Sequence, residues 1–230
     1  MRRVPPVSDS LPDGGFYTPL FSPWDGYGDF AHLLRLAEPH TLVSRDRMYL
    51  LYAFALNALR LPGEFWECGV YKGGTALLLA ELIDMRGASV GTALHLFDTF
   101  EGMPETDKRV DLHNRGDFAD TSLKAVRRLI GQCEHVVFHP GWIPETFAGM
   151  EGSIIALAHI DLDVYRSVWD SCEFIYPRLA NSAVMLFDDY GFPTCPGARR
   201  AVDELFCEKP EVPIVLPTGQ AAVIKLPRNT

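Results

Sequence analysis

The feature that most constrains the fold is a repeated alternation of short apolar segments with helical patterns between residues 65 and 206. Two further short strands are predicted near the C-terminus, around a tight turn at Thr218-Gly219. Such alternation is typical of a mainly parallel sheet with helices on both faces, and the last two strands add an antiparallel pair. We therefore predict an α/β, Rossmann-like fold with a seven-stranded sheet. The five main strands are predicted at residues 65–68, 93–98, 135–141, 153–165 and 182–191.

The beginning of the chain shows a different pattern. Residues 1–28 are rich in proline, glycine and aromatic residues and have no periodicity, which predicts an arm or loop that a partner or ligand would order. Apolar residues recur at helical spacing within residues 30–36 and 45–61, so helices are predicted there. We expect an N-terminal arm or loop region at residues 1–40 and one α/β domain at residues 41–230.

Composition and charge limit the classes of function. Hydrophobic residues make up 47% and charged residues 22% of the chain, as in ordinary globular domains. The net charge of −9 argues against nucleic acid as the main partner, because phosphate binding needs a basic surface. No apolar segment reaches the roughly 20 residues that cross a bilayer, so no membrane partner is expected.

The five cysteines are scattered, odd in number and never spaced as C-x-x-C. This spacing predicts neither a disulfide framework nor a zinc site, and free thiols in a reducing cytoplasm are the simplest interpretation. The first residues contain two arginines but no apolar stretch behind them, so no secretory signal is predicted. We expect a cytoplasmic protein.

The sequence ECGVYKGGT joins the first predicted strand to a helix that begins near Thr75. It matches neither the G-x-G-x-x-G motif nor the Walker motif. Its glycines allow the backbone to approach a ligand, and the helix N-terminus offers free N–H groups. Glu67, just before the turn, suits a cationic group such as the ammonium of a methionine moiety. A plain strand–helix turn, in which the glycines relieve crowding, is an equal alternative at this point.

Acidic residues concentrate where the predicted strands end. In parallel α/β sheets ligands bind beyond the carboxyl ends of the strands, so these carboxylates are predicted to converge on one edge. Asp98 has the spacing at which an acid meets ribose hydroxyls, although an aspartate there can also cap the following turn. The six residues at or near predicted strand ends are Glu67, Asp98, Asp161, Asp163, Asp188 and Asp189.

The sequences HIDLDVY and FDDY place four aspartates at two adjacent strand ends. Asp161 and Asp163 are two residues apart and would share one face of a strand, one directed to a metal and the other to a substrate. Oxygen-only ligands suit Mg²⁺, which needs near-octahedral geometry and keeps several waters. A single aspartate at a strand end is often a cap. Four together repel one another and require a cation or raised pKa values.

Other candidate residues have ordinary structural alternatives. His139 and His159 could each act as a base, but a histidine on an apolar strand is more often a hydrogen-bonded core residue. Trp142 and Tyr71 could flank an adenine or a substrate, or could simply pack. The pair Arg199-Arg200 is interpreted as a solvated helix face.

Five of these sequences, ECGVYKGGT, LFDTFEGMP, HPGWIPETF, HIDLDVYRSVWD and LFDDYG, together resemble the macrocin O-methyltransferase (TylF-like) family. That family comprises Mg²⁺-dependent, S-adenosylmethionine-dependent enzymes that methylate sugar hydroxyls of secondary metabolites. The likeness runs from about Thr41 to the C-terminus, and TLVSRDRM resembles the segment that covers the cofactor. It implies a class I methyltransferase domain over residues 41–230 and a role in antibiotic biosynthesis. The residues before Thr41 match no pattern of the family.

The resemblance implies a role for each matching residue. The metal ligands would be Asp161, Asp188 and Asp189. Asp163 would be the general base, with His159 as the less favoured alternative. The cofactor-binding set would be Glu67, Gly69 and Tyr71 on the methionine side, Asp98 with Thr99 at the ribose, Asp117 and Trp142 at the adenine, together with Gly73, Thr75 and Asp161.

The expected reaction is methyl transfer from S-adenosylmethionine to a hydroxyl of a sugar or glycosylated natural product, with Mg²⁺ lowering the pKa of that hydroxyl. A catechol-type acceptor stays open. A haloacid dehalogenase-type phosphatase is disfavoured because only 27 positions separate Asp161 from Asp188. A non-catalytic S-adenosylmethionine-binding module is disfavoured because binding alone needs no carboxylate cluster. The aromatic N-terminal arm favours a homo-oligomer.

Overall fold

A seven-stranded sheet carries the fold. The structure is a computed structural model and describes residues 21–87 and 92–227. The strands are β1 (Glu64–Cys68), β2 (Leu94–Asp98), β3 (Val136–Pro140), β4 (Ile155–Ile160), β5 (Leu179–Phe187), β6 (Ile214–Val215) and β7 (Ala221–Ile224). Each of the seven predicted strands is present, and the mainly parallel α/β fold with an antiparallel pair at its end is confirmed.

The strand order is β3-β2-β1-β4-β5-β7-β6. The central strand β1 pairs in parallel with β2 on one side and with β4 on the other. After β3 the chain therefore crosses to the opposite half of the sheet, and the direction of winding reverses between β1 and β4. Ligands of open α/β sheets bind beyond the carboxyl ends of the strands at such a reversal. This places the expected site beyond Cys68 and Ile160.

Helices cover both faces of the sheet. Alternate residues of a strand point to opposite faces, and the buried core accordingly forms two clusters. Leu94 and Leu96 of β2 belong to the cluster with the first four helices, whereas Phe97 belongs to the cluster with the last two. The helices are α1 (Phe30–Ala37), α2 (Arg45–Ala58), α3 (Gly74–Met85), α4 (Leu123–Ile130), α5 (Tyr165–Ile175) and α6 (Pro196–Phe206).

One strand boundary differs from the prediction in a way that changes the site. Strand β4 ends at Ile160, so Asp161 and Asp163 lie in the loop that follows it. The interpretation that these two aspartates share a strand face is therefore wrong. The loop instead turns sharply, and Asp163 has a left-handed backbone with a φ of 59°.

Two glycines of the turn after β1 are required by close packing. Gly69 has a φ of +91°, and a Cβ atom there would overlap the carbonyl group of Asp161. Gly73 has a φ of +87° and is the N-cap residue of α3, where a Cβ atom would lie 2.7 Å from the side chain of Val126. The turn can therefore lie tightly between the end of β4 and helix α4 only without side chains at these positions.

The N-terminal region contains a helix of the domain core. Residues 1–20, half of the predicted arm region, lie outside the described residues. Helix α1, predicted within the remaining half, is confirmed, and its Phe30 and Leu33 are fully buried in the main core cluster. Helix α1 therefore packs as part of the α/β domain, although it precedes the predicted boundary at residue 40.

Two other predictions concern the state of the cysteines and the presence of membrane-spanning helices. All five cysteines are free thiols, as their spacing predicts. Within residues 21–87 and 92–227, no helix combines the length and the apolar character needed to span a bilayer.

Candidate active site

A cavity of about 510 Å³ opens beyond the carboxyl ends of the strands. Its wall is built from the segments that follow β1, β2, β3, β4 and β5. Thr41, Leu42, Val43 and Arg47, which precede or begin α2, close another side. A cavity of several hundred Å³ at the switch point of an α/β sheet is the usual place for a small-molecule ligand.

Three carboxylates meet beside this cavity, and we refer to Asp161, Asp188 and Asp189 as the carboxylate cluster. One oxygen of each lies within 4.8 Å of the other two. Burial and the neighbouring charge of Asp188 raise the pKa of Asp161 well above its ordinary value. Burial and the charges of Asp161 and Asp163 do the same to the pKa of Asp189. The structure thus brings the three predicted metal ligands together.

Asp188 differs from the rest of the cluster because it has cationic partners. Its Oδ2 forms an ion pair with the guanidinium group of Arg47, and its Oδ1 accepts a hydrogen bond of 2.8 Å from Gln220. Nε2 of His159 lies 3.6 Å from the same Oδ1. Burial alone raises the pKa of Asp188, but His159 and Arg47 outweigh it and hold that pKa below its ordinary value.

The remaining two carboxylates have no such compensation. Among the described residues, neither Asp161 nor Asp189 forms an ion pair. The cluster is a set of oxygen ligands whose mutual repulsion is only partly balanced by Arg47 and His159, and such a set fits a hard divalent cation such as Mg²⁺. A bound cation would relieve the repulsion that raises the two pKa values.

Asp163 lies next to the cluster and lines the cavity. Its backbone N–H donates to Oδ2 of Asp189 at 2.9 Å, which holds the left-handed turn in place. Its Oδ1 accepts a hydrogen bond of 3.2 Å from Sγ of Cys195 and lies 3.6 Å from Nε2 of His113. Burial raises the pKa of Asp163. A carboxylate so placed can accept a proton from a ligand in the cavity.

Glu67 and His159 form a buried pair behind the cluster. Oε1 of Glu67 lies 3.0 Å from Nδ1 of His159, and both side chains are fully buried. Burial lowers the pKa of His159, but the carboxylates of Asp188 and Glu67 outweigh it and raise that pKa to about 10. Neither residue lines the cavity. The position of His159 therefore suits a hydrogen-bonded core histidine, and the position of Asp163 suits a base.

One oxygen of Glu67 is left without a partner. Its Oε2 is buried and makes no hydrogen bond within the described part of the chain. Leaving a buried carboxylate oxygen unpaired costs free energy. Because Glu67 is fully buried and does not line the cavity, the structure does not place it against a ligand there, and its contact with the ammonium of a methionine moiety stays a prediction.

Asp98 both caps a turn and faces the cavity. Its Oδ2 accepts hydrogen bonds from the N–H groups of Val70 (2.7 Å) and Tyr71 (2.9 Å), and its Oδ1 accepts one from Phe100 at 2.6 Å. The capping alternative is thus confirmed. The carboxylate also lies in the cavity wall, and the ribose contact stays a prediction.

The other predicted cofactor residues fall into two groups. The first group lines the cavity and consists of Gly69, Tyr71, Thr75, Thr99 and Trp142. Gly73 and Asp117 are not in the cavity wall. Gly73 packs against α4, and Asp117 accepts a hydrogen bond from the N–H of Asn114 in the loop after β2. Phe118, the neighbour of Asp117, lies in the wall instead.

Three residues of the site are missed by sequence reasoning. Arg47 pairs with the cluster, while His113 and Cys195 contact Asp163. The loops that carry His113 and Cys195 show no periodicity or motif, so no local signal identifies these two residues. For Arg47 a signal exists, since it belongs to the TLVSRDRM sequence that the family resemblance connects with the cofactor.

Comparisons with known proteins bear on the family to which the chain belongs. The model of the Macrocin-O-methyltransferase (TylF) family matches residues 35–213. The chain is 29% identical over 184 residues to demethyldecarbamoylnovobiocin O-methyltransferase of Streptomyces niveus, and the match covers 73% of the chain and 68% of the relative. It is 28% identical over 172 residues to 8-demethyl-8-(2,3-dimethoxy-alpha-L-rhamnosyl)-tetracenomycin-C 4'-O-methyltransferase of Streptomyces olivaceus, with 69% of the chain and 66% of the relative covered.

The fold is also shared with a solved structure. The O-methyltransferase NovP superimposes with a TM-score of 0.73 and 24% sequence identity, over 82% of this chain and 83% of that one. At this identity the likeness shows the fold alone, and it confirms the predicted class I methyltransferase fold. The matched family is one of methyltransferases, which removes the phosphatase alternative.

Proposed function

The chain belongs to the macrocin O-methyltransferase (TylF) family, and we propose that it transfers the methyl group of S-adenosylmethionine to a sugar hydroxyl with the help of Mg²⁺. The observation that carries the proposal is the arrangement of the cavity. The glycine-rich turn after β1 and Asp98 line one part of its wall, and Asp161, Asp163 and Asp189 line another. The first part suits a nucleoside cofactor, and the second suits an acceptor hydroxyl.

S-adenosylmethionine would lie against the segments after β1, β2 and β3. The carboxylate of Asp98 suits the ribose hydroxyls. Trp142 is 45% exposed at the cavity and offers an aromatic face to the adenine. These contacts account for why the cavity wall combines acidic and aromatic residues.

Mg²⁺ would be held by the carboxylate cluster. When bound, the ion lowers the pKa of an acceptor hydroxyl and orients its oxygen. The protein's own contribution is to keep Asp188 ionised through Arg47 and His159 and to hold Asp161 and Asp189 within reach of the same ion.

Asp163 would take the proton of the acceptor hydroxyl. Methyl transfer is an in-line displacement at the sulfonium carbon, so the enzyme must align the acceptor oxygen and remove its proton. Asp163 lines the cavity, and its carboxylate is held by Cys195 at 3.2 Å with His113 at 3.6 Å. These two neighbours position the carboxylate oxygen toward which the proton moves.

The acceptor class is proposed from the relatives and from the cavity. One relative is named for a tetracenomycin compound that carries a rhamnosyl group, which it methylates at an oxygen. In this chain the apolar side chains of Met103, Leu162 and Phe192 line the cavity together with Asp163. They suit the apolar part of a glycosylated natural product, with its sugar near the carboxylates.

Isothermal titration calorimetry tests the cofactor and the metal. Wild-type protein should bind S-adenosylmethionine, and it should bind Mg²⁺ in a separate titration. Asp189→Asn should bind S-adenosylmethionine nearly as wild type does but bind Mg²⁺ at least about tenfold more weakly, because one ligand is neutral. Glu208→Gln removes a carboxylate from an exposed position and should match wild type in both titrations. Absence of S-adenosylmethionine binding would refute the proposal.

A transfer assay tests the acceptor. Purified protein with S-adenosylmethionine and Mg²⁺ should methylate an aryl rhamnoside, detected by the mass of the product. Methylation of a catechol and not of rhamnosides would replace the sugar by the catechol-type acceptor. Cofactor binding without transfer to either acceptor class would favour the binding-module alternative.

A further inference from the structure

A second group of metal-ligating side chains lies at the other edge of the sheet. Asp84 is in the last turn of α3, and Cys133 and His135 lie within the three residues before β3. Strand β3 pairs with β2 from its first residue onward, so these side chains lie at the amino ends of the strands. None of the three lines the cavity at the carboxyl ends. We call Asp84, Cys133 and His135 the amino-edge cluster.

The three side chains are already close enough to share one ion. Sγ of Cys133 lies 3.3 Å from Oδ2 of Asp84 and 3.9 Å from Nε2 of His135. One ligand atom of each lies within 4.8 Å of the other two. Zinc bonds of about 2.3 Å to sulfur and about 2.0–2.1 Å to nitrogen or oxygen separate tetrahedral ligands by about 3.4–3.6 Å. Both sulfur distances agree with this separation to within roughly 0.4 Å.

Rigid parts of the fold carry these ligands. The carbonyl of His135 accepts a hydrogen bond of 2.8 Å from the N–H of Leu94, and the carbonyl of Cys133 accepts one of 3.2 Å from the N–H of Val136. Asp84 follows the fully buried Ile83 of α3. Ligands held by a sheet edge and a core helix need little ordering when an ion binds, which favours binding.

The charge around the cluster favours a divalent cation. The carboxylates of Asp84 and Glu81 both act on the Cys133 sulfur through their negative charge. The same negative charge attracts a dication. When the ion binds, the thiol proton is released to water, because a coordinated sulfur is deprotonated.

We infer that the amino-edge cluster binds Zn²⁺, with one sulfur, one nitrogen and one oxygen ligand and with water in the fourth position. Asp84 is about half exposed, so water can reach the ion. A thiolate and an imidazole select zinc over Mg²⁺, which separates this site from the carboxylate cluster. The ion would tie the end of α3 to the start of β3 and stabilise that edge of the sheet. This inference does not depend on the methyl-transfer reaction.

Cobalt substitution tests the inference on the full chain. Co²⁺ bound to a thiolate gives a near-ultraviolet charge-transfer band, whereas Co²⁺ bound to carboxylates does not. Metal-stripped protein in excess Mg²⁺, added to compete with Co²⁺ for the carboxylate cluster, should bind about one equivalent of Co²⁺ with this band. Added Zn²⁺ should abolish the band by displacement. It should also raise the unfolding temperature of the wild-type protein.

Variants identify the site. Cys133→Ser and His135→Asn should lose the band and bind Zn²⁺ more than about tenfold more weakly, with unchanged circular dichroism. Cys207→Ser removes an exposed thiol elsewhere and should keep both properties. Absence of the band in wild type would overturn the inference, as would a band retained in Cys133→Ser. A band lost in Cys195→Ser would also overturn it, because it would place the ion beside Asp163.

Discussion

The two edges of the same sheet each carry three side chains that can bind a metal ion, but the charges of these side chains are compensated in different ways. The carboxylate cluster contains only acids, and two of its three members are buried. The amino-edge cluster contains an acid, a thiol and an imidazole, and none of the three is buried. In the carboxylate cluster, burial and the repulsion between like charges both raise the pKa values of Asp161 and Asp189. In the amino-edge cluster the members hydrogen-bond one another.

The two clusters therefore depend on an ion to different degrees. Like charges cannot neutralise one another, so the carboxylate cluster takes its compensation from outside, in part from Arg47. The amino-edge cluster can keep its thiol protonated and bonded to a carboxylate without any ion. A metal is therefore expected to be essential at the carboxyl edge and only stabilising at the amino edge.

The largest expected effect is that of Asp189→Asn. Loss of one anionic ligand should lower the rate of methyl transfer by about a thousandfold or more, equivalent to about 4 kcal/mol of transition-state stabilisation. The same change should raise the stability of the metal-free protein, because it removes a repelling charge and keeps an oxygen that accepts from the N–H of Asp163. Activity assays and urea unfolding measure the two effects.

At the amino edge the matched change is Cys133→Ser. It should leave the activity unchanged and alter metal-free stability by less than about 0.5 kcal/mol, as is usual for such a site. Two results would contradict this contrast between the edges. One is an Asp189→Asn protein that is less stable than wild type in the absence of metal, and the other is an Asp189→Asn protein that retains wild-type activity.

Asp163→Asn should have the next largest effect. It should lower kcat by about 100-fold or more, because the proton acceptor is lost. The affinities for Mg²⁺ and S-adenosylmethionine should stay within about threefold of wild type, since the carboxylate cluster is intact. Asp203→Asn on α6 changes a half-exposed aspartate outside the cavity wall and should keep wild-type kcat. An unchanged kcat in Asp163→Asn would show that another group removes the proton.

Arg47→Met tests the cation that the protein itself supplies to the carboxylate cluster. Its partner Asp188 is fully buried, so removing the guanidinium should cost about 3 kcal/mol of unfolding free energy in the absence of metal. Mg²⁺ should restore part of this loss, because it replaces the missing positive charge. Arg45→Met removes an exposed pair with Glu38 and should change stability little. Equal losses in the two variants would contradict the role given to Arg47.

The smallest effect is a pH dependence that involves neither cluster. Nδ1 of His95 lies 2.8 Å from Nε2 of His139, and burial lowers the pKa of both side chains below 6.5. The unfolded chain therefore binds more protons than the folded one, so stability should fall as the pH falls below 6.5. In His139→Asn this dependence should be weaker, and in the exposed-residue variant His32→Gln it should persist. The midpoints of urea unfolding, measured for wild type and both variants as the pH is lowered below 6.5, test this expectation.

Much of the fold was open to prediction because it depends on local patterns. The apolar segments and the helical spacing between them define strands and helices, and their alternation implies a parallel sheet. Once the sheet is parallel, Asp98, Asp161 and Asp188 must lie at the same edge, since each ends or directly follows a strand whose carboxyl end is there. The end of β4 was harder to predict because the apolar character of HIDLDV continues past Ile160, where the hydrogen-bonded strand ends.

The contacts that tune the site depend on loops that carry no pattern. His113 reaches Asp163 across 50 positions of the chain, and Cys195 reaches it across 32. The amino-edge cluster is a similar case. Cysteine spacing gave no sign of a zinc site, because one of the two side chains that contact Cys133 is Asp84, which lies 49 positions earlier in the chain.

The α/β architecture, the glycine-rich turn and the gathering of acids at one edge follow from local residue order, because strand periodicity and parallel winding are set by it. How those acids are charged depends on the tertiary structure. Asp188 and Asp189 are neighbours in the chain, yet Arg47 and His159 lower the pKa of the first, while burial and like charges raise that of the second. Electrostatic energy depends on distances in space and on burial, and neither quantity is written in the order of residues.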